Sequence, residues 1–158
     1  MNVDPYEKFW MWMAGVIVAA FVGTIAYTAR AYTLAPPSHV EMIDPTQAMQ
    51  DPRFASPGVT SLPAGEQQVI MVAMRYAWLP PEVHVTAHRP VTFRLTSMDV
   101  VHGFEVAGTN ANTMVVPGYV SQFTTTFDKP GKYLVACNEF CGTGHHTMQA
   151  AIIVEAAP

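Results

Sequence analysis

Two regimes of hydrophobic patterning divide the chain. From Phe9 to Ala29 the sequence FWMWMAGVIVAAFVGTIAYTA is apolar on every side, with no acidic or basic residue in 21 positions. A helix of that length rises about 31 Å, close to the roughly 30 Å hydrocarbon core of a bilayer. Trp10, Trp12 and Tyr27 stand near its ends, where interfacial aromatics belong. The pattern predicts a membrane helix over about 9–29 within an N-terminal segment 1–32. From Gln67 onward the period becomes two: Val91, Phe93 and Leu95 alternate with Thr92, Arg94 and Thr96, as in a half-buried strand. Further strands are expected at 69–74, 82–86, 120–127, 133–137 and 149–155, rich in valine, threonine and aromatics. Turn signals separate them at Pro80-Pro81, His88-Arg89-Pro90, Pro117-Gly118 and Asp128-Lys129-Pro130-Gly131. Short strands at this spacing, with no long amphipathic helix between them, predict a β-sandwich or Greek-key barrel over 66–158.

Between the two regimes, six prolines (36, 37, 45, 52, 57 and 63) break helix and strand alike. Residues 33–65 therefore read as a proline-rich connector, with a short helical turn allowed after Asp44-Pro45. The apolar run has a rival reading as a cleaved secretory signal, since Ala29-Arg30-Ala31 has the small-x-small form, but it is longer than a signal core. Both readings export the remainder or tether it to a membrane. Lys8 on one side of the run and Arg30 on the other leave its orientation undecided by charge. Gly15, Ala19 and Gly23 place a small residue every four positions, which permits close approach of another membrane helix.

Half of the residues are hydrophobic and 13% are charged. After Arg30 there are ten acidic against six basic residues, a balance that speaks against nucleic acid and for a soluble, mildly acidic exported domain.

The candidate chemistry sits in one loop, Cys137-Asn138-Glu139-Phe140-Cys141-Gly142-Thr143-Gly144-His145-His146-Thr147-Met148. Thiolate and thioether are soft ligands, so two cysteines, a histidine and a methionine favour copper over magnesium, calcium or manganese. Zinc accepts cysteine and histidine equally well, but leaves Met148 unexplained. A blue-copper set of one cysteine, two histidines and an axial methionine would need a second histidine from elsewhere and would leave one cysteine over. His102, read as lying at the end of the strand that begins at Val91, is the best candidate. His39, His84 and His88 read as surface residues, and His145 is preferred to His146 by its spacing to Met148. A disulfide between the cysteines is the rival in an exported domain. A c-type haem is excluded, since three residues separate the cysteines and no histidine follows Cys141 directly.

The pattern Cys-x-x-x-Cys-x-x-x-His-x-x-Met, preceded by a strand-end histidine and an N-terminal membrane anchor, closely resembles subunit II of the haem-copper cytochrome c oxidases, from Phe9 to Glu155. The resemblance implies a cupredoxin-like Greek-key β-sandwich carrying the binuclear copper centre CuA. Cys137 and Cys141 would bridge two copper ions. His102 and Met148 would complete one copper, and His145 with the backbone carbonyl of Glu139 the other. A single membrane helix is similar to the short branch of the family. In other branches the glutamate between the cysteines also offers its carboxylate to magnesium at the interface with subunit I, an option that Glu139 keeps open.

The implied role is acceptance of electrons from a soluble cytochrome c and delivery to haem in subunit I. The implied location is the plasma (inner) membrane, with one pass through the lipid bilayer and the copper domain on the extracytoplasmic side. Tyr76 and Trp78 are the aromatic candidates for the point of electron uptake, against their plainer reading as sandwich core. A membrane-anchored copper chaperone is the alternative function, though the order of His102 and the cysteines does not suit a thioredoxin-like βαβ pattern.

Overall fold

A computed structural model describes residues 4–31 and 41–157, in two units that are taken separately. His39, Pro36 and Pro37 lie outside the described residues. The first unit is the helix α1 (Pro5–Ala31). Asp4 starts it: its side chain accepts the N–H of Tyr6 at 2.8 Å, and Pro5 occupies the first turn, where no N–H is needed. At about 1.5 Å per residue its 27 residues reach about 40 Å. The helix is apolar all round and buries none of its side chains in its own unit. Thr24 and Thr28 return their hydroxyls to the carbonyls of Ala20 and Thr24, which removes free donors from an apolar surface.

The second unit is a sandwich of two five-stranded sheets. Its strands are β1 (Gly58–Ser61), β2 (Gln67–Met74), β3 (Ala77–Leu79), β4 (Glu82–Thr86), β5 (Pro90–Ser97), β6 (His102–Val106), β7 (Asn112–Val115), β8 (Ser121–Thr126), β9 (Gly131–Ala136) and β10 (Gln149–Glu155). One sheet runs β1-β2-β5-β8, with β3 paired to β2; the other runs β4-β10-β9-β6-β7. β2 lies parallel to β5 and β4 parallel to β10, while the other pairs are antiparallel.

The alternation read from the sequence sets the core. Val91, Phe93 and Leu95 of β5 point inward with Val69 and Met71 of β2, against Val83, Val85, Phe104, Val135, Ile152 and Val154 of the facing sheet. Phe93 lies at the centre, stacked on Phe123 at 5.2 Å and tilted against Phe104 at 5.3 Å.

The segment expected as a connector is in part a second layer. Residues 41–65 carry β1 and two short 3-10 turns, Pro45–Gln50 and Pro63–Gly65, each with proline at its start. Ile43, Ala48 and Phe54 are buried against Val72, Ile70 and Leu79 on the outer face of the first sheet. Arg94, pointing outward from β5, meets Glu41 at 2.5 Å, and Glu41 also binds Arg53, which binds Asp51 at 2.6 Å. Proline removed helix and strand periodicity here without removing the apolar anchors, so the packing has no sequence period to betray it.

The strands expected at 69–74, 82–86, 120–127, 133–137 and 149–155 form within a few residues of those bounds. β1, β3, β6 and β7 were not expected. The consequence for the site concerns His102: it is not at the end of the Val91 strand but is the first residue of β6, in the opposite sheet.

Candidate metal centre

The loop after β9 and the start of β6 meet at one end of the sandwich. β9 ends at Ala136, the 3-10 turn His145–Thr147 closes the loop, and Met148 leads into β10. The backbone is pinned at both ends: Cys137 N–H donates to Met148 O at 3.2 Å, and Asn138 N–H donates to Gly103 O at 3.3 Å. Gly142 sits at φ 134°, a conformation open to glycine and strained for other residues.

Two buried sulfurs form the middle of the site. Cys137 and Cys141 are free thiols, 7% and 5% exposed, with their sulfurs 3.9 Å apart. Around Cys137 Sγ stand His102 Nδ1 at 3.8 Å and the backbone carbonyl of Glu139 at 3.2 Å. Around Cys141 Sγ stand His145 Nδ1 at 3.6 Å and Met148 Sδ at 3.8 Å. His102, Cys137 and Cys141 offer donor atoms within 4.8 Å of one another. Burial pushes the Cys141 thiol up to about 11, and the neighbouring Cys137 adds to that. Held in that setting, the Cys141 thiol resists ionisation unless a cation takes the proton's place. The donor set therefore fits a soft metal, and its cysteine, histidine, methionine and carbonyl members suit copper.

The ring of His102 is held from behind. Its Nε2 lies 2.9 Å from Asp99 Oδ1, and since a carboxylate only accepts, Nε2 carries the hydrogen and Nδ1 turns its lone pair to the sulfurs. Asp99 also accepts the N–H of Val100 at 2.7 Å and that of Arg75 at 2.8 Å. Burial alone would raise the Asp99 carboxyl, but the hydrogen bond from His102 and the two backbone N–H groups outweigh it and hold it at about 2.

The remaining candidates fall in different places. The Glu139 side chain is exposed, as is His146, while His145 is partly buried. His84 is exposed between Glu155 and Glu82, and His88 is exposed in a turn. Trp78 does not serve as an exposed aromatic: it is 1% exposed, edge-on to Phe104 at 5.3 Å and beside His102 at 6.2 Å, because β3 turns it into the sandwich. Tyr76 is half-buried over the loop, its hydroxyl 3.3 Å from Thr143 Oγ1. Sequence reasoning missed Asp99, Arg75 and Phe140. Phe140 is 76% exposed, its ring 5.8 Å from that of His145. A carboxylate three positions before a candidate histidine was the available signal for Asp99.

A β-sandwich that gathers cysteine, histidine and methionine on the loop between its last two strands belongs, as a class, with the cupredoxin-like proteins. The profile of cytochrome c oxidase subunit II, periplasmic domain, matches residues 59–157. The cytochrome c oxidase subunit 2 of Thermus thermophilus is 36% identical over 154 residues, covering 95% of this chain and 92% of that one. A chain of a haem-copper terminal oxidase dimer solved by cryo-electron microscopy superposes with a TM-score of 0.72 at 32% identity, covering 95% of this chain and 99% of that one. The periplasmic domain of subunit II of the cytochrome oxidase of Bradyrhizobium japonicum shares the fold at a TM-score of 0.52 and 19% identity, over 56% of this chain and 83% of that one. This chain belongs to the cytochrome c oxidase subunit II family. It is thus a subunit of an oxidoreductase complex, a haem-copper oxidase.

Proposed function

We propose that the centre holds the binuclear copper site CuA, with Cys137 and Cys141 as bridging thiolates and His102, Met148, His145 and the Glu139 carbonyl as the outer donors. The observation that carries this is the second cysteine. A single copper needs one thiolate, whereas here two buried sulfurs each have an imidazole and a further donor within 3.8 Å. Held by these residues, a copper pair would supply one-electron transfer. The protein supplies the geometry: β6 presents His102, the β9–β10 loop presents the other donors, and the core beneath excludes water.

In the same reading, electrons come from a soluble cytochrome c and leave to haem in subunit I. α1 crosses the lipid bilayer once in the plasma (inner) membrane, and the sandwich lies on the extracytoplasmic side. The exposed Glu139 carboxylate remains available to magnesium at the interface with subunit I. Tyr76, partly exposed beside the loop, is the better candidate for electron uptake, since Trp78 is buried. A copper chaperone is the poorer reading, because among the described residues the sandwich unit holds no α-helix from which a βαβ pattern could be built.

Copper analysis and electron paramagnetic resonance of the full chain in detergent test the proposal. Two coppers sharing one unpaired electron are expected; a single copper or a zinc stoichiometry would overturn it.

A further inference from the structure

The turn between β2 and β3 reaches both flanks of the sulfur pair with two adjacent residues. Arg75 gives its backbone N–H to Asp99 Oδ2 at 2.8 Å and its guanidinium Nε to the same oxygen at 3.3 Å. The other carboxylate oxygen takes His102 Nε2 at 2.9 Å. Tyr76, the next residue, lies against the opposite flank. A Cβ on Gly142 would stand 2.5 Å from the Tyr76 hydroxyl, and one on Gly144 would stand 2.5 Å from Cδ2 and 2.7 Å from Cγ of the ring. The ring thus occupies the room that side chains at both glycines would need, and its hydroxyl reaches Thr143.

We propose that Arg75 and Tyr76 form a bracket around the copper centre and are positioning residues for it, Arg75 acting through Asp99 on His102 and Tyr76 acting on the loop from Cys141 to His145. This rests on the copper reading above. His102 opens strand β6 and His145 lies in the 3-10 turn of the β9–β10 loop, 43 positions apart in sequence, and no direct contact joins their side chains among the described hydrogen bonds. A turn that touches the support of each fixes the distance between them, so the donors keep their places whether or not an electron is present. The Arg75 side chain is 50% exposed, so the ion pair contributes little to stability. Its effect is local, since the guanidinium offsets the Asp99 charge that would otherwise polarise the His102 ring.

The test uses the full chain in detergent, loaded with copper and metal-free. Arg75→Ala leaves Asp99 uncompensated and should lower the reduction potential; Asp99→Asn removes the negative charge and should raise it; Arg75→Lys should restore the wild-type value. A merely structural role would not give opposite signs. Tyr76→Ala should broaden the copper hyperfine pattern and speed copper loss to a chelator by about 10-fold, the lower end for loss of a supporting partner. Tyr76→Phe, which keeps the ring, should not. In metal-free protein, nitrogen NMR should show His102 protonated on Nε2 alone in the wild type and as mixed tautomers in Asp99→Ala. Potentials that stay fixed or move the same way in Arg75→Ala and Asp99→Asn, with Tyr76→Ala losing copper at the wild-type rate, would overturn the bracket. A wild-type chain without the paired-copper signal would instead overturn the copper reading, and the metal-free NMR would still decide whether Asp99 fixes the ring.

Discussion

Gly103→Ala probes a close backbone approach, where β6 passes beneath the ligand loop. A Cβ built on Gly103 would overlap Asn138 Oδ1 and stand 2.9 Å from the backbone nitrogen of Glu139 and 3.0 Å from Asn138 Cγ. The amide of Asn138 could rotate away, giving up its 3.3 Å contact with Asn112, but the Glu139 backbone cannot move without taking its carbonyl away from Cys137. Forcing a methyl into such a site costs about 1–3 kcal/mol. Removing glycine from the unfolded chain returns about 0.4–1 kcal/mol. Taking the middle of each range, the net loss is about 1.3 kcal/mol, and at about 4 °C per kcal/mol for a domain of this size the thermal midpoint should fall by about 5 °C. The assay is thermal unfolding of the metal-free full chain in detergent, followed by near-ultraviolet circular dichroism. Asn138→Ala in the same chain removes the side-chain overlap but leaves the Glu139 contact. The double variant should therefore recover about half of the loss, measured against Asn138→Ala alone. A midpoint within about 2 °C of wild type would refute the close-approach argument, because it would mean that the loop has room the geometry denies it.

Trp78→Ala should cost about 3–5 kcal/mol in denaturant unfolding, as for other buried aromatics, and a variant with unchanged stability but slower reduction by cytochrome c would contradict its place in the core. Glu41→Gln weakens the partner of Arg94, whose side chain is 15% exposed, and should cost about 1–3 kcal/mol in the same assay; an unchanged midpoint would mean that Arg53 and Arg94 are satisfied without it. His84 is held above its ordinary 6.5, chiefly by its hydrogen bond to Glu155 and then by Glu82. A raised folded value means that its contribution is complete below pH 6.5, while the carboxylates stay ionised, and is lost as pH rises through the folded value. The advantage of wild type over His84→Gln in thermal midpoint should therefore shrink as pH rises above 6.5, and a difference that grows with pH would reverse the assignment.

Much of the architecture was legible because its causes are local. The alternation of Val91, Phe93 and Leu95 with polar neighbours placed β5 and its inward face, and Glu82 to Thr86 formed a strand over the span expected. β6 escaped because Gly103 interrupts it and four of its five residues are buried, leaving no in-out alternation. Residues 41–57 escaped for a related reason: Ile43, Ala48 and Phe54 pack as separate anchors with no period between them. The aromatic pair Tyr76 and Trp78 shows the limit most plainly. Two positions apart, they look equivalent in the sequence, yet one lies over the loop and the other is in the core.

The apolar helix, the two-layer β unit and the kind of ligands offered could be read along the chain, since hydropathy, period and donor chemistry reside in neighbouring residues. Tertiary packing alone put His102 on β6, beside β9 in the sheet that carries the ligand loop and opposite the Val91 strand, turned its Nδ1 rather than its Nε2 to the sulfurs, and brought Arg75, Asp99 and Tyr76 to the site. Those relations join residues as far apart as Tyr76 and Thr143. They arise from how two sheets close on one core, which no local pattern records.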